Sequence, residues 1–300
     1  MKSQSQALSD LLPSWYRALR SSNRSPKTIL SYDVAATQLI AFLDEQGLPT
    51  GADRISTDHI RAFLERMVAT RASATARQRY ASLKQLFKWL YEEGEIPVNP
   101  MDRIKAPALL EPPVPVLTDD QLRALIAAAS GKSFDERRDE AIIRLFLDSG
   151  IRLGEMAALQ VDNVDLDLEV AIVLGKGRRL RSAPFGQKTT TALDRYLRMR
   201  KTHPHSRLPD LWLGTRGALT ANGIAQMLRR RGSAAGVEGL HPHQFRHTMA
   251  HRWLSAGGTE GDLQRLAGWA SPQMLRRYGA SAADQRAREA HKRLGLGDSL

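Results

Sequence analysis

Cysteine is absent from all 300 residues. That excludes disulfides, thiolate zinc sites and a cysteine nucleophile. No run approaches the roughly 18 consecutive apolar residues of a membrane span. The opening stretch, MKSQSQALSDLLPSWYRALR, is polar with short apolar patches and does not read as a signal peptide. A cytoplasmic protein that is not inserted in a membrane is the expectation. There is no internal repeat and no low-complexity tract. What the chain does have is a 42% share of apolar residues and enough length for two compact domains.

Its charge is unbalanced. Lys and Arg number 44 against 32 acids, a formal charge of +12. Residues 1–106 hold 15 bases and 11 acids, or +4; residues 107–300 hold 29 and 21, or +8. Both halves are basic, which favours an anionic partner such as nucleic acid.

The first third reads as helices. Leu12, Trp15, Tyr16 and Leu19 recur at helical spacing over Ser9 to Arg20. Ser25-Pro26 resembles a cap followed by proline at the first helical position, and Gly47 closes that helix. Thr57-Asp58 opens a third helix. Ser73 opens a fourth, through Tyr91, with Tyr80, Leu83, Leu86, Phe87 and Leu90 on its apolar stripe. Arg77, Lys84 and Lys88 share another face of it, which suits either a phosphate backbone or plain solvent.

Six prolines between residues 94 and 117 mark an irregular linker, with a domain boundary near residue 110. Thr118-Asp119-Asp120 then starts a helix, and an apolar helix over 136–149 is stopped by Gly150. Residues 169–185 alternate, turn at Gly175-Lys176-Gly177 and run on, as a β-hairpin with a basic loop does. Helices are predicted at 187–200, 220–235, 243–256, 260–268, 272–278 and 282–293.

Several polar residues invite a chemical reading. Arg152, between Ile151 and Leu153, needs an anion or carboxylate partner if it is buried, and Glu155 lies three residues on. The segment HPHQFRHTMAHRWL, residues 241–254, puts His243 and Arg246 three apart, a pair able to donate to one phosphate. His243 and His247 are four apart, as in zinc sites, but HQFRH lacks the glutamate of HExxH and has Arg246 between them. Tyr278 sits beside Arg276 and Arg277, which would ease loss of its proton.

In their order along the chain these residues resemble the signature of the tyrosine recombinases, the phage integrase family. SGIRLGEMAAL resembles that family's first-arginine box, VLGKGRRLRSAPF its hairpin lysine, HPHQFRHTMAHRWL its His-x-x-Arg box and LAGWASPQMLRRYG its last box. SPKTILSYDVAATQLIAFL and the Pro-rich stretch are similar to its N-terminal part, so the resemblance covers most of the chain. Trp269 stands where the family usually has histidine; an indole can donate a hydrogen bond but cannot take up a proton.

The resemblance implies a mainly α fold with a small β-sheet. Residues 1–106 would be an all-helical, SAM-like core-binding domain, 107–117 a linker, and 118–300 an α+β catalytic domain. It implies that Tyr278 attacks the scissile phosphate to give a 3′-phosphotyrosine and a free 5′-hydroxyl. Arg152 and Arg246 would hold the non-bridging oxygens, Lys176 would protonate the leaving oxygen, and His243 would assist proton transfer. Trp269 would donate a hydrogen bond, and Glu155 would orient Arg152 or His243. Arg77, Lys84, Lys88, Arg178 and Arg179 are candidates for DNA contact. No metal, ATP or other cofactor is expected. The partners implied are double-stranded DNA with short inverted core sites and further copies of the chain, four to a synapse, with residues 282–300 docking on a neighbour. A type IB topoisomerase-like enzyme and a DNA-binding regulator without catalysis are the alternatives.

Overall fold

The computed structural model describes residues 6–108, 115–175, 180–269, 288 and 291–292. The chain divides into two compact units, Met1–Pro112 and Pro113–Leu300.

The first unit is helical. Helices α1 (Leu8–Ser21), α2 (Pro26–Glu45), α3 (Thr57–Thr70) and α4 (Ser73–Glu92) enclose a core that includes Leu39, Leu43, Phe63, Leu83 and Phe87. Helix α2 starts as its sequence suggests: the Ser25 hydroxyl accepts from the Thr28 N–H, and Pro26 sits where its missing N–H costs nothing. Helix α3 starts at Thr57, as its sequence suggests. Its cap is Ser56, whose hydroxyl accepts from the His59 N–H while His59 Nδ1 accepts from the Ser56 N–H. Trp15 stacks on Tyr32 with ring centroids 5.5 Å apart, which ties α1 to α2. Part of the expected linker is packed rather than loose. Ile96, Met101 and Ile104 are buried in this core, and the Tyr80 hydroxyl donates to the Ile104 carbonyl at 2.8 Å.

The second unit mixes helices with a small sheet. Its helices are α5 (Asp119–Ala129), α6 (Phe134–Ser149), α7 (Leu153–Ala157), α8 (Gln187–Arg200), α9 (Ala221–Ala234), α10 (Pro242–Ser255) and α11 (Glu260–Ala267). Strands β1 (Val164–Asp165), β2 (Val170–Leu174) and β3 (Leu180–Pro184) form an antiparallel sheet in that order. A second hairpin pairs β4 (Leu213–Gly214) with β5 (Gly217–Ala218). In the predicted hairpin the small face is the buried one: Ala171, Val173 and Ala183 point inward, while Leu174 and Leu180 are exposed. Helix α6 is the spine, with Ala141, Ile142, Ile143, Leu145 and Phe146 fully buried, and Phe146 stacks on Phe245 of α10 at 5.6 Å. It begins at Phe134, two residues before the expected start, because Ser133 and Glu136 form a reciprocal cap.

Several buried polar groups in this unit are held by partners remote in sequence. Arg200 donates to the carbonyls of Leu211, Ser206, Leu208 and Asp210, pinning the chain that leads to β4. Asp139 accepts from Arg138 at 2.8 Å and from Arg231 at 2.9 Å. The Tyr196 hydroxyl donates to the Leu211 carbonyl, and its pKa is pushed up to about 12, chiefly by burial. Of the helix expected at 282–293, Arg288, His291 and Lys292 are described, each helical; the one expected at 272–278 lies outside the described residues. Among the described residues, no helix is long and apolar enough to cross a membrane.

Candidate active site

Two left-handed glycines set the stage. Gly150 ends α6 at φ +55°, and a Cβ there would come within 2.4 Å of Met249 Cε. Gly268 ends α11 at φ +62°. Both turns leave carbonyls pointing away from their helices, and arginines take them up.

Arg246 is 2% exposed on α10. Its Nη1 donates to the Gly150 carbonyl at 2.6 Å, and its Nη2 donates to the Ala267 carbonyl. One planar guanidinium therefore bridges the ends of two helices. Its Cζ also lies 5.3 Å from the Trp269 ring centroid, a cation–π contact with a buried indole. The Trp269 backbone N–H donates to the Gln264 carbonyl at 3.0 Å, and Gln264 Nε2 donates back to the Trp269 carbonyl at 3.2 Å.

Arg152 caps α7 rather than lying within it. Its backbone N–H donates to Glu155 Oε2 at 2.9 Å, its Nη1 to Glu155 Oε1 at 2.7 Å and its Nη2 to the Gly268 carbonyl at 3.2 Å. The pairing with Glu155 expected from a shared helical face thus arises from a cap. Burial alone would raise the Glu155 carboxyl. The Arg152 N–H and the charges of Arg181 and Arg152 outweigh it and hold the group below the usual carboxylate range.

His243 is exposed in the first turn of α10, after Pro242 at the first helical position, and its ring centroid is 6.3 Å from that of His241. The structure thus brings Arg152, Glu155, Arg246 and Trp269 into one connected network, with His243 on the same helix as Arg246. Lys176, Arg178, Arg179 and Tyr278 lie outside the described residues. Arg77, Lys84 and Lys88 belong to the first unit. All three are exposed; Arg77 donates to the Pro107 carbonyl at 3.2 Å and Lys88 pairs with Glu92 at 3.5 Å.

Sequence reasoning missed Arg181. It lies on β3, its side chain only 12% exposed, and its Nη2 donates to Glu155 Oε2 at 2.6 Å. A signal existed: in a strand of period two, Arg181 shares the inward face with Ala183. Among the described residues, no cluster of three His, Asp or Glu side chains could hold a metal ion.

Comparisons with known proteins place the chain in a family. Residues 115–285 match the phage integrase family model, and residues 12–94 match that of the phage integrase N-terminal SAM-like domain. Relatives named tyrosine recombinase XerC include one from Thermodesulfovibrio yellowstonii, 32% identical over 71% of this chain and 73% of the relative. Another, from Roseiflexus castenholzii, is 31% identical over 83% of this chain and 81% of the relative. Among solved structures, the Tn1549 transposon integrase in complex with transposon right end DNA superposes with a TM-score of 0.76. It has 21% identity and covers 96% of this chain and 99% of that one. The XerH recombinase bound to palindromic difH substrate, a post-cleavage complex, gives 0.76 at 18% identity, over 96% and 85%.

The match of residues 12–94 and 115–285 to these two family models defines an enzyme that cleaves and rejoins DNA. The chain belongs to the phage integrase family, the tyrosine recombinases.

Proposed function

We propose that this site-specific recombinase works through a 3′-phosphotyrosine, with Tyr278 as the nucleophile and a 5′-hydroxyl as the leaving group. Breaking a phosphodiester calls for a nucleophile, charge stabilisation and a proton for the departing oxygen. Arg152 and Arg246 take the non-bridging oxygens, for which permanently charged planar groups are suited. Lys176 protonates the leaving 5′-oxygen, and His243 assists proton transfer at Tyr278. Trp269 cannot carry a proton, so it packs and donates a hydrogen bond, leaving the acid–base work to Lys176 and His243. Glu155 orients Arg152. The arginines supply the positive charge that a metal supplies in other phosphoryl transfers. The phosphotyrosine conserves the bond energy, so a 5′-hydroxyl can reverse the step without ATP.

The observation that carries this reading is the meeting of Arg152 and Arg246, from two separate sequence boxes, on the adjacent carbonyls of Gly268 and Ala267 beside Trp269. Residues 1–106 serve as the core-binding domain, 107–117 as the linker and 118–300 as the catalytic domain. Arg77, Lys84, Lys88, Arg178 and Arg179 contact double-stranded DNA at inverted core sites. Four protomers exchange strands in one synapse, residues 282–300 dock on a neighbour, and the protein acts in the cytoplasm on the nucleoid.

The test uses a nicked duplex carrying the site that the protein itself footprints. The expected product is a protein–DNA adduct that survives SDS and is lost in Tyr278→Phe. Tight binding with no adduct overturns the reading.

A further inference from the structure

Arg181 stands opposite Val173 in the register of β2 and β3. Its guanidinium reaches two acceptors that are remote in sequence. Nη2 donates to Glu155 Oε2 at 2.6 Å, and Nη1 donates to the Leu266 carbonyl in the last turn of α11, also at 2.6 Å. Its aliphatic stem lies against Gly268, where a Cβ would come within 2.9 Å of Arg181 Cδ. Glycine at 268 thus serves both the left-handed turn and this close approach.

The last carbonyls of α11 show a pattern. Leu266 accepts from Arg181, Ala267 from Arg246 and Gly268 from Arg152. Three successive carbonyls each take a guanidinium, supplied by β3, by α10 and by the residue preceding α7. Two of those arginines are candidates for the phosphate itself. Arg181 is the third; its side chain is 12% exposed against 38% for Arg152, and its two Nη atoms, like theirs, donate to protein.

We infer that Arg181 is a positioning residue for DNA cleavage. It ties the β2–β3 hairpin, whose loop contains Lys176, to the end of α11, from which the chain runs on through Trp269 to Tyr278. The inference rests on the phosphotyrosine reading for its chemistry. In that chemistry the acid and the nucleophile come from two segments with no sequence continuity, and their mutual position has to be fixed by a contact between the elements that bear them. Arg181 is that contact, and Glu155 divides its carboxylate between Arg181 and Arg152 so that the first arginine joins the same frame. A lysine at 181 would keep the charge beside Glu155 but lacks the fork that spans both acceptors.

The experiment compares the full-length protein with Arg181→Lys by three measurements: amide exchange across residues 260–269, affinity for the footprinted site, and the single-turnover rate of adduct formation. The expected result is faster exchange at the end of α11 with α2 and α4 unchanged. DNA affinity is retained, and the adduct rate falls about tenfold to a hundredfold, as a displacement of order 1 Å produces. Unchanged exchange overturns the inference, whether or not the rate falls; a fall would then mean that Arg181 acts on DNA directly. Loss of affinity in proportion to rate also overturns it, since that marks a general folding defect. Should Arg181→Lys not fold, Arg181→Gln leaves Glu155 paired with Arg152, and the same readings decide. A wild-type protein that forms no adduct defeats the phosphotyrosine reading, and the exchange measurement still decides whether Arg181 holds α11.

Discussion

The two units bury different things. Among the described residues, the first unit buries one polar side chain, Ser82, in an otherwise apolar core. The second buries Arg138, Asp139, Glu140, Glu155, Arg200 and Arg246. Taking a charge out of water costs several kcal/mol unless partners replace the lost hydration. The first unit avoids that cost and keeps its charges outside, as on the exposed face with Arg77, Lys84 and Lys88. The second accepts it repeatedly, and most of these buried charges have partners that fix a backbone turn or a neighbouring helix. A scaffold that only has to present a basic surface can be held by apolar packing. One that must hold guanidiniums at defined points needs directional bonds.

This contrast can be broken, most strongly at Asp139. Asp139→Ala leaves Arg138 and Arg231 without their shared carboxylate and should cost the second unit about 3–5 kcal/mol. Denaturant unfolding read by Trp15 and Trp89 in the first unit, and by Trp212 in the second, should show only the second transition moving. A smaller effect comes from pH. The folded pKa of Glu155 is depressed, so its contribution to stability is complete above the ordinary carboxylate value of 4.5 and is lost as pH falls through the lower folded value. Stability of the second unit should decline on acidification with a slope from this one group of at most about 1.4 kcal/mol per pH unit. Glu155→Gln should remove that part of the slope. The smallest change in stability is expected from Lys84→Ala and Lys88→Ala, within about 0.5 kcal/mol each by thermal melting. Their effect should fall on DNA binding instead: weaker on all sequences alike, with the salt dependence reduced by about one per lysine.

Much of the first unit was legible because apolar packing and caps are local. Ser25-Pro26 and the stripe from Tyr80 to Leu90 are read within a few residues. In the second unit the Thr118 cap and Gly150 were legible for the same reason. The two-residue strands β1, β4 and β5 were not, since a pair of residues carries no period. The five-residue α7 was too short to show one. Arg152 and Glu155 are neighbours in sequence, so their bond was foreseeable. Arg181 lies 26 residues from Glu155 and 85 from Leu266, so nothing in its surroundings announces either partner. Ile96, Met101 and Ile104 were read as linker because the prolines around them outweigh three apolar residues that have no periodic spacing.

The three arginines at the end of α11 also settle the sign of the local field. A helix C-terminus carries roughly half a negative charge, and Glu155 adds a full one nearby. Left so, this corner would repel any anion. Three guanidiniums reverse the balance to about +1.5. The groups that hold the corner together therefore also make its field favourable to an anion, and removing any one of them should weaken structure and attraction together.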